Sequence, residues 1–66
     1  MMKYKAEIWH YHSIIDTCES DNIDDIREWF KSEWYASYDN GMCSLTVYRD
    51  GEEMSWDEMF ELRIID

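Results

Sequence analysis

The chain has 66 residues, of which 16 are acidic and 6 basic, so its formal net charge at pH 7 is −10. This length fits one domain spanning residues 1–66 and excludes a deep cofactor cleft, so we expect no cofactor. The acidic excess argues against direct binding to nucleic acid or to an anionic membrane, and the 17% aromatic content argues against disorder.

The N-terminal third alternates in polarity with the period of a β-strand. Tyr4, Ala6 and Ile8 point one way, while the residues between them point the other way, which predicts a strand with two occupied faces. Residues 13–18 are also rich in strand-forming types. We therefore expect two strands, with a hairpin favoured over a bend at residues 10–12.

A helix is predicted after residues 19–22, which are a cluster of N-cap types. An acidic first turn also suits the positive end of the helix dipole. The helix should end near Tyr38, because Asp-Asn-Gly at residues 39–41 is a typical terminator. Apolar or small residues then fall on one helical stripe, namely Ile23, Ile26, Phe30, Trp34 and Ser37.

Residues 42–49 alternate again and predict a third strand, followed by the Asp50-Gly51 signal of a tight hairpin. Residues 55–62 are compatible with two structures. The even spacing of apolar residues fits a strand, whereas Ser-x-x-Glu from Ser55 to Glu58 is a capping box that would begin a short helix. Either outcome gives an α+β fold: a small antiparallel sheet of three to four strands with one main helix packed across one face.

The two cysteines, Cys18 and Cys43, are too few for a disulfide framework and form no CxxC pair. The first residues lead directly into the strand pattern and not into the apolar core of a signal peptide. No apolar run approaches the ~20 residues of a membrane span. We therefore expect a cytoplasmic protein with reduced thiols and no membrane partner.

Candidates for site chemistry are few. His10 and His12 would share one face of a strand and could meet one metal ion, but a third ligand would have to come from a cysteine or an acid, and we expect no metal. The sequence has no Gly-rich phosphate loop and no nucleophile elbow. We expect a protein that is not an enzyme and has no catalytic residues.

The acidic surface is the most informative feature. Spaced carboxylates on a rigid domain can offer a field similar to that of DNA, which carries one charge per ~1.7 Å, and they accelerate association with a basic partner. Trp and Tyr residues off the helical stripe could anchor such a contact. The predicted partner-binding residues are Asp21, Asp24, Asp25, Glu28, Trp29, Tyr35, Glu52 and Glu53.

Residues 3–9, the segment ESDNIDDIREWF and the segment YDNGMCSLTVYRDGEEMSWDEMFEL resemble the short acidic accessory proteins that bacteriophages encode. Proteins of that kind are often small α+β domains that bind and block a host protein. The resemblance implies a non-catalytic, anti-defence inhibitor in the host cytosol, directed at a nuclease, glycosylase, polymerase or defence complex, in some cases by mimicking DNA. It assigns no individual site residue.

Two other functions are compatible with the sequence. A small homodimeric structural or regulatory domain would use its charge for solubility alone and could bury exposed aromatics between two copies. A nucleotide-sequestering protein would stack a base on these rings. The six basic residues are scattered along the sequence, however, which does not favour binding of a phosphate.

The net charge predicts that salt stabilises the fold. Because repulsion among the acidic residues is screened by ions, raising NaCl from about 10 mM to about 150 mM should raise the melting temperature. Thermal unfolding followed by circular dichroism would measure this. A melting temperature that falls over the same interval would contradict the prediction.

Overall fold

The computed structural model describes the backbone of residues 2–37 and 43–65, and the side chains of residues 2–32 and 43–65. Four antiparallel strands form one sheet in the order β2-β1-β3-β4, with one main helix and a short second helix. The predicted α+β class is therefore confirmed. In chain order, the elements are β1 (Tyr4–His10), β2 (Ser13–Ser20), α1 (Ile23–Ser37), β3 (Cys43–Arg49), β4 (Glu52–Glu53) and α2 (Trp56–Glu61).

Strand β1 is central and pairs with β2 on one edge and with β3 on the other. Its alternation is the one predicted, since Tyr4, Ala6 and Ile8 are buried in the core. The register places Tyr4 opposite Ser20 of β2 and opposite Arg49 of β3. The end of β2, the start of β1 and the end of β3 therefore lie at the same end of the sheet.

The predicted β1–β2 hairpin is confirmed, with Tyr11 and His12 as its two turn residues. Tyr11 has a left-handed φ of 57°. Ile8 pairs with Asp16 and Trp9 pairs with Ile14, so Ile15 is an extra residue in a β-bulge. The expectation that His10 and His12 share a strand face is wrong, because His12 lies in the turn.

Helix α1 begins where the sequence predicts. The Asn22 side chain accepts a hydrogen bond from the Asp24 amide (2.9 Å) and caps one N–H that has no partner within the helix. Of the predicted stripe, Ile26 and Phe30 are buried and Ile23 packs partly against the core. The side chains of Trp34 and Ser37 and the predicted terminator at 39–41 lie outside the described residues.

The Asp-Gly hairpin between β3 and β4 is confirmed. Asp50 and Gly51 both have positive φ angles, 52° and 85°, as a type I′ turn requires. Aspartate tolerates this conformation better than most residues, and glycine adopts it without steric cost. The turn reverses the chain so that Arg49 pairs with Glu52 and Tyr48 with Glu53.

The capping box decides the ambiguous C-terminal segment in favour of a helix. The Ser55 side chain accepts a hydrogen bond from the Glu58 amide (3.3 Å), and α2 follows from Trp56. Beyond its end, the Ile64 amide donates to the Met59 carbonyl (2.9 Å). Met59 and Ile64 are both buried, so α2 is held to the core through apolar side chains on either side of its C-terminus.

The core lies on one face of the sheet, against both helices. No helix of the described chain packs on the other face, where Lys5, Glu7 and Trp9 of β1 lie beside Thr46 and Tyr48 of β3. We call this second surface the open face. The buried apolar side chains of the core are Tyr4, Ala6, Ile8, Ile26, Phe30, Cys43, Leu45, Val47, Met54, Met59 and Ile64.

Neither Cys18 nor Cys43 forms a disulfide. Cys18 pairs with Ala6 on one side of β1, and Cys43 pairs with His10 on the other side. Burial raises the pKa of the Cys18 thiol, and nearby carboxylates, Asp25 foremost, raise it further. Both effects favour the protonated thiol over the thiolate.

Removing the α2 cap should destabilise the protein. The substitution Ser55→Ala leaves the Glu58 amide without its acceptor, and loss of an N-cap typically lowers the free energy of unfolding by ~1 kcal/mol. Urea unfolding would measure the change. Ser55→Thr keeps a capping hydroxyl and serves as the control, and equal effects of the two substitutions would argue against the cap.

Candidate partner-binding surface

Acidic residues from separate elements lie together at one end of the sheet. Asp21 follows β2 and Asp50 follows β3, and both are linked to Lys3, which precedes β1. The Lys3 amide donates to the Asp21 carboxylate (2.8 Å), and the Asp50 amide donates to the Lys3 carbonyl (2.8 Å). We call this region, where β1 and α1 begin, the acidic end.

Three of the predicted charge-bearing residues also have local structural partners. Asp24 forms an ion pair with Arg27 (2.8 Å), and Asp25 accepts a hydrogen bond from the Ser20 hydroxyl (2.6 Å). Asp21 accepts from the Lys3 amide. These carboxylates stabilise the beginning of α1 whatever else they bind, since acidic groups there also interact with the helix dipole.

Three other predicted residues, Glu28, Glu52 and Glu53, are exposed and make no ion pair within the described part of the chain. Glu28 lies one turn into α1, and Glu52 and Glu53 form β4. Their carboxylates are thus available to a partner without the loss of an ion pair between described residues.

Most acidic residues in the described part of the chain have no cationic partner. Within the described ranges, Lys5, Arg27 and Arg49 are already paired with Glu7, Asp24 and Glu58. The cations without such a pair are Lys3, Lys31 and Arg63, whereas the acids without one are Asp16, Glu19, Asp21, Asp25, Glu28, Asp50, Glu52, Glu53, Asp57 and Glu61.

The sequence suggested Trp29 and Tyr35 as exposed aromatic anchors, and the structure shows that Trp29 is not fully exposed. Trp29 is half-buried, packs against the core and donates its indole N–H to the Asp16 carboxylate (3.2 Å). Tyr35 belongs to α1, but its side chain lies outside the described residues. Trp29 therefore joins α1 to the edge strand β2, and only part of its ring is open to a partner.

Sequence reasoning missed two exposed rings on α2. Trp56 is 58% exposed and Phe60 is 51% exposed. Because they are four residues apart in a helix, they lie on the same side of it. The sequence left this segment open between a strand, in which even spacing would put both rings on an apolar face, and a helix begun by the capping box at Ser55, which is the signal that could have placed them. Asp57 and Glu61 follow them with the same spacing.

The open face contains a buried carboxylate. Glu7 is 6% exposed, accepts a hydrogen bond from the Trp9 indole (3.2 Å) and lies 3.8 Å from the Lys5 ammonium. Burial raises the pKa of Tyr48, and the carboxylates of Glu7 and then Glu53 raise it further. The network holds polar and aromatic side chains in fixed positions on a surface that no described helix covers.

A shallow hollow at the edge of this network does not favour an anionic ligand. It is lined by Lys3 and Lys5, but also by Glu7 and Glu19, together with the Tyr48 ring. A phosphate placed there would meet two carboxylates along with the two ammonium groups. A nucleotide-binding site therefore gains no support from this surface.

Neither histidine belongs to a metal site in the part of the chain that the structure describes. No group of three His, Cys, Asp or Glu side chains converges there in an arrangement that could hold a metal ion. His10 instead contacts the Tyr11 ring edge-to-face, with centroids 4.6 Å apart. The same ranges also contain no helix that is both long and apolar enough to cross a membrane.

Comparison of the chain with protein-family models, with curated proteins and with solved structures found no match. What the protein does is therefore inferred from its own residues.

The position of Glu7 beside Tyr48 on the open face predicts that removing its charge lowers the pKa of Tyr48. Replacing Glu7 with Gln removes a negative charge beside the phenol, so the pKa of Tyr48 should fall towards the ordinary tyrosine value. Because the folded-state pKa is raised, Tyr48 stabilises the fold below its unfolded-state pKa, and this contribution is lost as pH rises through the folded-state pKa.

Ultraviolet difference titration of the wild type and Glu7→Gln would measure the shift. Glu61→Gln removes one carboxylate from exposed α2 and serves as the control for the change in net charge. A Tyr48 titration that is the same in all three proteins would show that Glu7 does not act on the phenol.

Proposed function

We propose that the protein is a non-catalytic, anti-defence inhibitor that binds a basic, DNA-binding surface of a host protein in the cytoplasm. The observation that supports this most is the collection of unpaired carboxylates at the acidic end. Hydrogen bonds to Lys3 on both sides hold Asp21 and Asp50 at that end, on separate elements. A nuclease, glycosylase, polymerase or defence complex offers a suitable cationic surface.

The charges contribute mainly to the rate and selectivity of the encounter. Complementary potentials accelerate association and disfavour wrong partners, while exposed ion pairs at the rim of an interface add little affinity. Carboxylates fixed by a folded sheet can occupy positions that DNA phosphates would take in a binding groove. DNA and the protein would then compete for one target, which is the sense in which the protein would mimic DNA.

Affinity needs contacts that lose water, and we assign these to aromatic side chains beside the charge. Buried aromatic residues dominate the binding energy of many interfaces. Trp56 and Phe60 are exposed next to Asp57 and close in sequence to Glu53, so a partner that covers this side of α2 would bury both rings. Trp29 and Tyr35 remain predicted contributors.

The contacts of α1 decide which substitutions can test this proposal. Reversing the charge of Asp24 or Asp25 would break the bonds to Arg27 and Ser20 and weaken the fold. The triple substitution Glu28→Gln, Glu52→Gln and Glu53→Gln removes charge without removing a described contact. Its matched control carries His12→Lys, Ser13→Lys and Ser44→Lys at the other end of the sheet, and both triples make the net charge of −10 less negative by three.

Affinity capture from a bacterial lysate, with each protein as bait, would test the proposal. The wild type and the lysine control should retain the same partner at physiological salt, where the two ends of the sheet are screened from each other, and lose much of it at high salt, whereas the glutamine variant should retain at least about tenfold less. Added duplex DNA should release the partner. Equal retention by both triples would exclude Glu28, Glu52 and Glu53 as contacts, and a complex that still binds DNA would exclude mimicry.

A further inference from the structure

The end of the sheet opposite the acidic end exposes large apolar side chains. Tyr11 of the β1–β2 turn is 65% exposed, and the neighbouring β2 residues Ile14 and Ile15 are 45% and 47% exposed. We call these three residues the hairpin patch. Residues 9–15 and 43–46, which form this end of the described sheet, include no Asp, Glu, Lys or Arg, and their two histidines, His10 and His12, count as neutral at pH 7.

Ile14 of the hairpin patch lies on the open face, away from the helical layer. Ile14 pairs with Trp9, which belongs to the open face, and Ile15 is the extra residue of the bulge. Strand β2 is also the edge of the sheet, since β1 is its only partner in the described chain. Three large exposed apolar side chains on one turn and one edge strand form a cluster of the kind that marks an interaction surface.

We propose that the hairpin patch binds a second copy of the chain and forms a weak homodimer. The charge distribution favours this occupant. A protein with a net charge of −10 repels its own copies, so two copies can approach only through a surface that bears no charge. Among the described residues, the uncharged end of the sheet also carries the exposed apolar cluster.

The hairpin patch is far enough from the acidic end for the repulsion between two copies to be largely screened. Six steps along β1 from Tyr4 to His10 span ~20 Å at ~3.3 Å per residue. The Debye length at physiological salt is ~8 Å, so the acidic end is largely screened from a contact at the hairpin patch. In a dimer joined by the two hairpin patches, both acidic ends lie far from the interface, and none of their carboxylates is part of it.

The edge of β2 limits how the two copies meet. The Asp16 carboxylate accepts a hydrogen bond from the adjacent Thr17 amide (2.9 Å), and the bulge interrupts the regular strand at Ile15. Both features oppose addition of another strand along this edge. The contact is therefore made by side chains, and three side chains cover less than the ~800 Å² per partner of a standard interface. We expect a dissociation constant on the order of 100 µM.

Sedimentation equilibrium of the full chain, with a reductant present to exclude disulfide-linked dimers, would test the proposal. In moderate salt the average mass of the wild type should rise with concentration from 8.1 kDa towards twice that value. Ile14→Lys and Ile15→Lys should weaken association at least about tenfold. Met2→Lys is the matched control, because Met2 is 49% exposed and precedes β1 at the acidic end, and it should associate like the wild type.

A dilution series of the wild type, followed by ¹H–¹⁵N NMR, tests the same contact without a substitution. Amide shifts that depend on concentration should be confined to residues 9–15 and their neighbours. A monomer at every concentration, a dimer that only Met2→Lys weakens, or a dimer that dissociates as salt rises would each overturn the proposal. A monomer whose residues 9–15 shift on addition of phosphatidylcholine vesicles would assign the patch to a lipid surface instead.

Discussion

The pairing of β1 on both edges is the constraint on which the rest of the structure depends. Its register with β2 and β3 brings Ser20, Tyr4 and Arg49 into one row, which joins segments that are far apart in the chain. A slip of one residue would turn Ala6 and Ile8 out of the core and bring charged neighbours into it. Burial of the apolar face therefore fixes the register, and the register in turn fixes which carboxylates become neighbours.

Much of the fold could be predicted because its signals are local. Alternation is sufficient for β1 and β3, the helical stripe for α1, and the Asp50-Gly51 dipeptide, which adopts the positive φ angles of a tight turn, for the second hairpin. The bulge at Ile15 and the position of His12 have no such signal. Both depend on how β2 aligns with β1, which is a long-range property that neither strand specifies alone.

The candidate site was only partly predictable, since acidic residues at a helix start serve more than one purpose. Asp24 and Asp25 have the same sequence signature whether they face a partner or bond to Arg27 and Ser20, and only coordinates separate the two roles. Trp56 shows a different limit. The sequence left its segment open between a strand, which would put the ring on an apolar face, and a helix begun by the capping box, and the structure places the ring on α2, where it is exposed.

The proposed partner contact at the acidic end and the proposed dimer contact at the hairpin patch lie at opposite ends of β1. The length of β1 between them makes the two contacts independent at physiological salt. At physiological salt, ~20 Å exceeds twice the Debye length, so neutralising the acidic end with a basic partner changes the repulsion between copies very little. At low salt the screening length approaches the size of the protein, and a cationic partner then relieves repulsion across the hairpin patch. Since linkage is reciprocal, dimerisation would strengthen partner binding by the same factor. The coupling free energy between the two sites therefore depends on the ionic strength and requires no conformational change.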